Sequence, residues 1–144
     1  MEDLSLHILD IVENSIRAGS SRVEVSLEKK TEGKNPTENI LYLNIKDNGS
    51  GMDENTLKIV SSPFYSSKEG KYFGLGISLL KQAALETNGD FKIDSKEGIG
   101  TEINAELKME HPDMKPLGDI MLTIKMLRLS HPEIEFVYDN ESNS

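Results

Sequence analysis

Over residues 3–18, Leu4, Ile8, Ile11, Val12 and Ile16 recur at helical spacing with Ser15 on the same face, and Gly19 supplies a stop. The pattern then changes period. Residues 22–28 (RVEVSLE) and 40–46 (ILYLNIK) alternate apolar and polar, which predicts two strands with one buried face each. Between them, KKTEGKNPTEN is polar and carries Gly33 and Pro36, as an exposed hairpin loop would. Asp53 can cap a short helix running to about Val60. Helical spacing returns over 75–87, through Leu75, Leu79, Leu80, Ala83 and Ala84. Two more alternating stretches, 90–95 and 101–108, flank a turn with Gly98 and Gly100. A linker, a helix over 117–129 and a strand near 134–138 complete the pattern, and the last six residues read as a disordered tail. A leading helix followed by mixed strands and helices predicts an α+β fold. The expected architecture is a two-layer α/β sandwich, with helices on one face of a mixed, mostly antiparallel sheet.

With 144 residues the chain suits one compact domain. We divide it into a nucleus over 1–110 and an extension over 111–144 packed on the same domain. No apolar run approaches the roughly 18 residues of a membrane span, so no membrane insertion is expected. The acidic start lacks the marks of a signal peptide, and cysteine is absent, which together point to a cytoplasmic setting. The formal net charge of −9 argues against nucleic acid as a partner. It also means that any anion site must rely on a divalent cation, backbone N–H groups and a few placed lysines.

Candidate chemistry falls in four segments. On the first helix, His7, Asp10, Asn14 and Arg17 share a face opposite the apolar one. Asp10 and Asn14 set a carboxylate beside an amide oxygen, suited to a water-activating base and a magnesium ligand, although any wet helix face would look similar. Asp47-Asn48-Gly49-Ser50-Gly51-Met52 follows a strand. There, Asp47 can accept a hydrogen bond from an exocyclic amine, while glycines let backbone approach a flat ring. Gly74-Leu75-Gly76 opens a helix whose free N–H groups suit phosphate. It is neither a Rossmann fingerprint, since Leu79 replaces the third glycine, nor a Walker A loop. Gly98-Ile99-Gly100-Thr101, taken alone, is an ordinary hairpin.

In this order the segments resemble the GHKL ATP site, the Bergerat fold of gyrase, the ninety-kilodalton chaperone, histidine kinases and MutL. LDIVENSIRAG is similar to the N-box, DNGSGM to the first glycine box, FGLGISLL to the second, and GIGTEINAEL to the closing Gly-Thr strand. SSPFYSSK resembles the start of a histidine-kinase ATP lid. The resemblance implies that Asn14 coordinates magnesium and Asp47 binds the adenine amino group, with Gly49 and Gly51 beside the base, Met52 lining it and Thr101 in support. Backbone N–H groups of Gly74, Leu75 and Gly76 would hold phosphates, with Lys68 as a lid contact and Lys71 a weaker one. Asp10 stands where hydrolysing relatives carry a glutamate base. Being one methylene shorter, it implies slow or absent hydrolysis. The helix also starts almost at residue 3, where the fold usually begins with a strand, so Glu135–Tyr138 is expected to occupy that edge.

The implied activity is that of a stand-alone, Mg-ATP-binding, histidine-kinase-like domain that transfers phosphate to, or switches, a partner protein, with a homodimer also open. A slow ATPase switch and a non-catalytic nucleotide sensor stay open beside it. No histidine has a phosphoacceptor context: His7 reads as a polar rim residue, and His111 and His131 precede prolines in turns. Any acceptor would therefore lie on another chain. Met114, Met121 and Met126 in the C-terminal part suit either an adaptable partner surface or ordinary core.

Overall fold

The computed structural model describes residues 3–33, 38–61 and 76–142. The elements are α1 (Leu4–Arg17), β1 (Arg22–Glu32), β2 (Glu38–Asp47), α2 (Glu54–Ser61), α3 (Gly76–Glu86), β3 (Asp90–Lys96), β4 (Gly100–Lys108), α4 (Ile120–Ser130) and β5 (Glu135–Ser142). The strands form one five-stranded sheet in the order β3-β4-β2-β1-β5. Every neighbouring pair is antiparallel except β1 and β5, which run parallel. The fold is α+β, as the sequence predicts.

Alternation makes the two faces of the sheet different. Val23, Val25, Leu27, Leu41, Leu43, Ile45, Ile103, Ala105 and Leu107 are buried in one apolar cluster with the inner sides of the helices. From α1 the cluster takes Leu4, Ile8, Ile11 and Val12, and from α3 Ile77, Leu80, Ala83 and Ala84. The other face carries polar side chains such as Asn44, Glu102 and Asn104, joined by hydrogen bonds of 2.8 Å from Asn44 Nδ2 to both neighbours.

The C-terminal segment is tied to the first helix. The opening N–H groups of α1 have no partner within the helix. Those of Leu4 and Ser5 donate to the carbonyls of Pro116 and Leu117 at 2.9 and 3.0 Å. The Asp3 side chain accepts from the Leu6 N–H and caps the same turn. Ile120, Ile124, Leu127 and Phe136 belong to the common apolar cluster. β5 covers the edge of β1, pairing Arg22 with Glu135 and Val25 with Tyr138, where the edge strand was expected.

Some boundaries differ from the reading of the sequence. β1 and β2 run on to Glu32 and from Glu38 into the polar stretch, because ladder bonds need no apolar side chains. α4 begins at Ile120, not 117, since Gly118 adopts φ +73° and the Asp119 side chain accepts the Leu122 N–H. β5 continues through Ser142, so Asp139–Ser142 are paired strand and not tail. His7 is 2 % exposed, a buried residue of α1 and not a rim residue.

Candidate functional site

One row of side chains crosses the sheet. The register aligns Phe136 with Val23, Val23 with Asp47, Asp47 with Thr101 and Thr101 with Ser95. Residues in register on adjacent strands share a face. Phe136 and Val23 are core residues on the helix side, so Asp47, Thr101 and Ser95 form the polar continuation of that row beneath the helices.

Asp47 ends β2 and is held from three directions. Its Oδ2 accepts the Ser15 hydroxyl at 2.6 Å, while its Oδ1 accepts the N–H groups of Gly49 at 2.9 Å and Thr101 at 3.3 Å. A carboxylate offers about four lone-pair sites, so one acceptor direction is left for a ligand. Ser95 completes the floor. Its hydroxyl accepts the Met52 N–H at 2.8 Å and donates to the Gly100 carbonyl at 2.9 Å. With that one proton committed, the 2.8 Å contact between Ser95 Oγ and Thr101 Oγ1 is donated by Thr101. Thr101 thus keeps its oxygen lone pairs available.

The loop after β2 is fixed by its own residues. Asn48 Oδ1 accepts the N–H groups of Ser21 and Arg22 at 2.9 and 3.0 Å, and the Ser50 N–H donates to the Ala18 carbonyl at 2.9 Å. The glycines clear space for the protein itself. A Cβ on Gly51 would lie 2.1 Å from the Lys96 carbonyl oxygen, and one on Gly49 would lie 2.7 Å from Ser20 Oγ. On Gly100 it would lie 2.0 Å from the Asp47 carbonyl oxygen. These contacts seat the loop against the β3–β4 turn and put Asp47 at the base of a cavity of about 210 Å³.

The cavity is lined on the α1 side by Ile11, Asn14, Ser15 and Arg17, and elsewhere by Met52, Ile77, Thr101 and Ile103. It therefore has an apolar body, a carboxylate at its floor and a polar rim. Arg17 Nη2 donates to Asn14 Oδ1, so a guanidinium sits at the amide oxygen expected to bind a cation. Asp10 is engaged elsewhere: its Oδ2 accepts the Gly76 N–H at the start of α3 at 2.7 Å. A larger cavity of about 530 Å³ lies by Lys46, Asp94, Lys96, Ile99 and Glu102. It shares Asp47, Ser95 and Thr101 with the floor of the site and lacks the apolar walls that α1 and α3 give the smaller cavity.

The structure thus brings together Asn14, Asp47, Gly51, Met52 and Thr101 around one cavity, with Gly49 bonded to Asp47. Asp10 and Gly76 are joined to each other. Lys68, Lys71, Gly74 and Leu75 lie outside the described residues. Sequence reasoning missed Ser15 and Ser95 as site residues. Ser15 left a signal, a hydroxyl on the apolar face of α1. Ser95 left only a weak one, a serine two residues beyond buried Ile93 on the same side of β3.

The family described as "Histidine kinase-, DNA gyrase B-, and HSP90-like ATPase" matches residues 2–111. The chain belongs to this family. Among curated relatives, this ATPase-family chain is similar to sporulation kinase C of Bacillus subtilis, with 37% identity over 68 residues. That match covers 47% of the chain and 16% of the kinase. A putative sensor protein of Shewanella frigidimarina is 37% identical over 76 residues, covering 52% of the chain and 12% of the relative. The chain therefore matches only a small fraction of the length of these relatives. In fold it resembles the Aquifex aeolicus MutL ATPase domain complexed with ADP, with a TM-score of 0.65 at 18% identity. That alignment covers 98% of the chain and 60% of the MutL domain. Among the described residues, the five-stranded mixed sheet and its four helices thus make the Bergerat fold.

Proposed function

We propose that this domain binds Mg-ATP in the cavity over Asp47 and uses it to phosphorylate, or to switch, a partner protein. The observation that carries the reading is the Asp47 carboxylate, oriented by Ser15, Gly49 and Thr101 with one acceptor direction to spare. An exocyclic amino group is a donor that fits it, and the apolar walls of Ile11, Met52, Ile77 and Ile103 suit a flat ring. Thr101 Oγ1 adds an acceptor within the same floor.

The donor set at the rim fits a magnesium ion that arrives with the polyphosphate. Among the described residues no group of three or more His, Asp or Glu side chains could hold a metal alone. Magnesium takes hard oxygens and keeps several waters, so the amide oxygen of Asn14 would serve as a protein ligand to it. Arg17, which donates to that oxygen here, would bring a cationic side chain to the same rim beside an anionic ligand. Bound ATP would supply the transferable phosphoryl group, and the chain's part is to bind, orient and shield it. The similarity to sporulation kinase C supports phosphoryl transfer over bare hydrolysis.

Calorimetric titration with ATP, ADP and a non-hydrolysable ATP analogue, with and without magnesium, tests the reading beside Asp47→Asn. Magnesium-dependent binding that Asp47→Asn abolishes is the expected result. Equal binding by the native chain and Asp47→Asn would sink it.

A further inference from the structure

The C-terminal methionines suit core or partner surface by sequence, and the fold separates them. Met114 packs against the apolar cluster, while Met121 and Met126 are exposed on α4. The sequence of α4, IMLTIKMLRLS, is apolar nearly all round. A helix of that kind is normally enclosed by its protein. This one is enclosed on one side only. Ile120, Ile124 and Leu127 are buried in the core, and on the opposite side Leu122, Met126 and Leu129 are 51, 58 and 82% exposed. Their spacing of four and then three residues sets them in one seam along about two turns. The helix therefore has two apolar faces, and the domain covers one of them.

The charges beside the seam select its occupant. Between Asp119 and Glu133 the chain has no carboxylate, and its cations there are Lys125 and Arg128. That stretch is cationic in a chain whose formal net charge is −9. Arg128 is turned to β5, where its Nη2 donates to the Phe136 carbonyl at 3.0 Å. Lys125 follows Leu122 by three residues and precedes Leu129 by four, so it flanks the seam on one side. Among the described residues Lys125 forms no ion pair. Thr123 and Ser130 flank the other side without charge.

Such a face complements a helix that carries an apolar seam of its own with a carboxylate at its side. A second copy of α4 suits it less. Antiparallel pairing about Met126 would set Lys125 beside its own image, and parallel pairing would align the two helix dipoles. The exposed Met121 and Met126 add side chains that adapt to the shape of a partner.

We propose that the outer face of α4 docks an amphipathic helix of a partner protein, whose apolar side packs on Leu122, Met126 and Leu129 and whose acidic flank meets Lys125. None of the residues lining the cavity over Asp47 comes from α4, so failure of nucleotide binding would leave this surface standing.

A hydrocarbon-stapled amphipathic peptide with leucines in its seam and glutamates beside it is the probe, since a short free helix is marginal in water. A matched peptide has lysine for each glutamate. Fluorescence anisotropy with the full chain should show the acidic peptide binding in the micromolar range and the basic one about tenfold more weakly or worse. Met126→Glu should weaken the acidic peptide by about tenfold or more. Lys125→Glu should reverse the order of the two peptides. Both variants should keep the native unfolding midpoint, because both positions are exposed. Binding of neither peptide, equal binding of both, or binding that Met126→Glu leaves unchanged overturns the proposal. So does a concentration-dependent dimer in sedimentation velocity that Met126→Glu abolishes, which would give the seam to a second copy. Flotation with phosphatidylserine vesicles that is lost in Met126→Glu would give it to lipid instead and likewise overturns the proposal.

Discussion

Ser15 Oγ donates to Asp47 Oδ2 at 2.6 Å, joining the first helix to the end of β2 across 32 residues of chain. This bond fixes the rotation of the carboxylate. Without it Asp47 keeps two backbone donors, both on the other oxygen. A hydrogen bond to a charged group contributes about 1.5–3 kcal/mol. Ser15→Ala should therefore weaken ATP binding by roughly tenfold or more. Ser15→Thr should keep most of the affinity, since the hydroxyl survives. Calorimetry on the two variants decides the point, and equal affinities for native and Ser15→Ala would mean that Asp47 needs no orientation from α1.

Asn14 and Arg17 make a separable contribution. If the Asn14 amide oxygen is the protein's ligand to magnesium, Asn14→Ala should abolish the difference between ATP titrations with magnesium and with chelator. The magnesium-free affinity should change little. A magnesium effect of full size in Asn14→Ala would place the cation elsewhere.

Gly100 carries the tightest backbone contact near the site, at φ +147° with the Asp47 carbonyl oxygen 2.0 Å from a notional Cβ. Gly100→Ala must push β4 away from Asp47 and stretch the Thr101 N–H bond to its carboxylate. Strain of this kind costs on the order of 1–3 kcal/mol, so both the unfolding midpoint and ATP affinity should fall. Gly98→Ala is the matched control, since a Cβ there would meet nothing within 4 Å although φ is +81°. It should lower stability modestly and leave affinity intact.

Tyr42 gives the protein an alkaline limit. Its hydroxyl donates to Glu32 Oε1 at 2.7 Å. That bond, with lesser help from burial and from the charges of Glu32, Glu106 and Glu28, pushes the phenol from its ordinary 10.0 up to about 12. The folded chain holds this proton where the unfolded chain has lost it. The contribution is thus complete below about pH 10 and disappears as pH rises through about 12. Glu32→Gln should return the Tyr42 titration toward 10 and flatten the loss of stability over that window. Tyrosinate absorbance against pH for both proteins measures it, and coincident curves would refute the coupling.

The sequence made much of this legible because local chemistry set it. α1 followed from Leu4, Ile8, Ile11 and Val12, and β2 from strict alternation up to Asp47. The start of α2 followed from Asp53, whose Oδ1 accepts the Thr56 N–H at 2.7 Å. What escaped depends on distant partners. Nothing around Ser95 announces that its hydroxyl joins Met52, Gly100 and Thr101. Asn48 reads as a turn residue until Ser21 and Arg22, at the entry to β1, each donate an N–H group to it. The polar residues Asp139–Ser142 look like tail, because their strand is defined by β1 and not by any pattern of their own.

The same dependence runs the other way at the sheet edge. Without β5, the N–H and C=O groups of β1 facing that side would be open, and an unpaired edge invites association. The segment after Lys115 also supplies Ile120, Ile124, Leu127 and Phe136 to the core, each at most 7 % exposed. At about 1.5–3 kcal/mol for each buried apolar side chain, their loss rivals the roughly 5–15 kcal/mol that holds a domain together. A chain ending at Lys115 should therefore be insoluble or largely unfolded. Phe136→Ala is the graded version, and it should lower the unfolding free energy by about 3–5 kcal/mol while the chain stays folded enough to titrate. Denaturant midpoints and nucleotide titration on Phe136→Ala separate structure from site. Since Phe136 shares its row with Asp47 only through Val23, ATP affinity should hold within about twofold at temperatures where the variant is folded. A truncated chain with an unchanged melting temperature would show that β5 and α4 rest on the domain without supporting it.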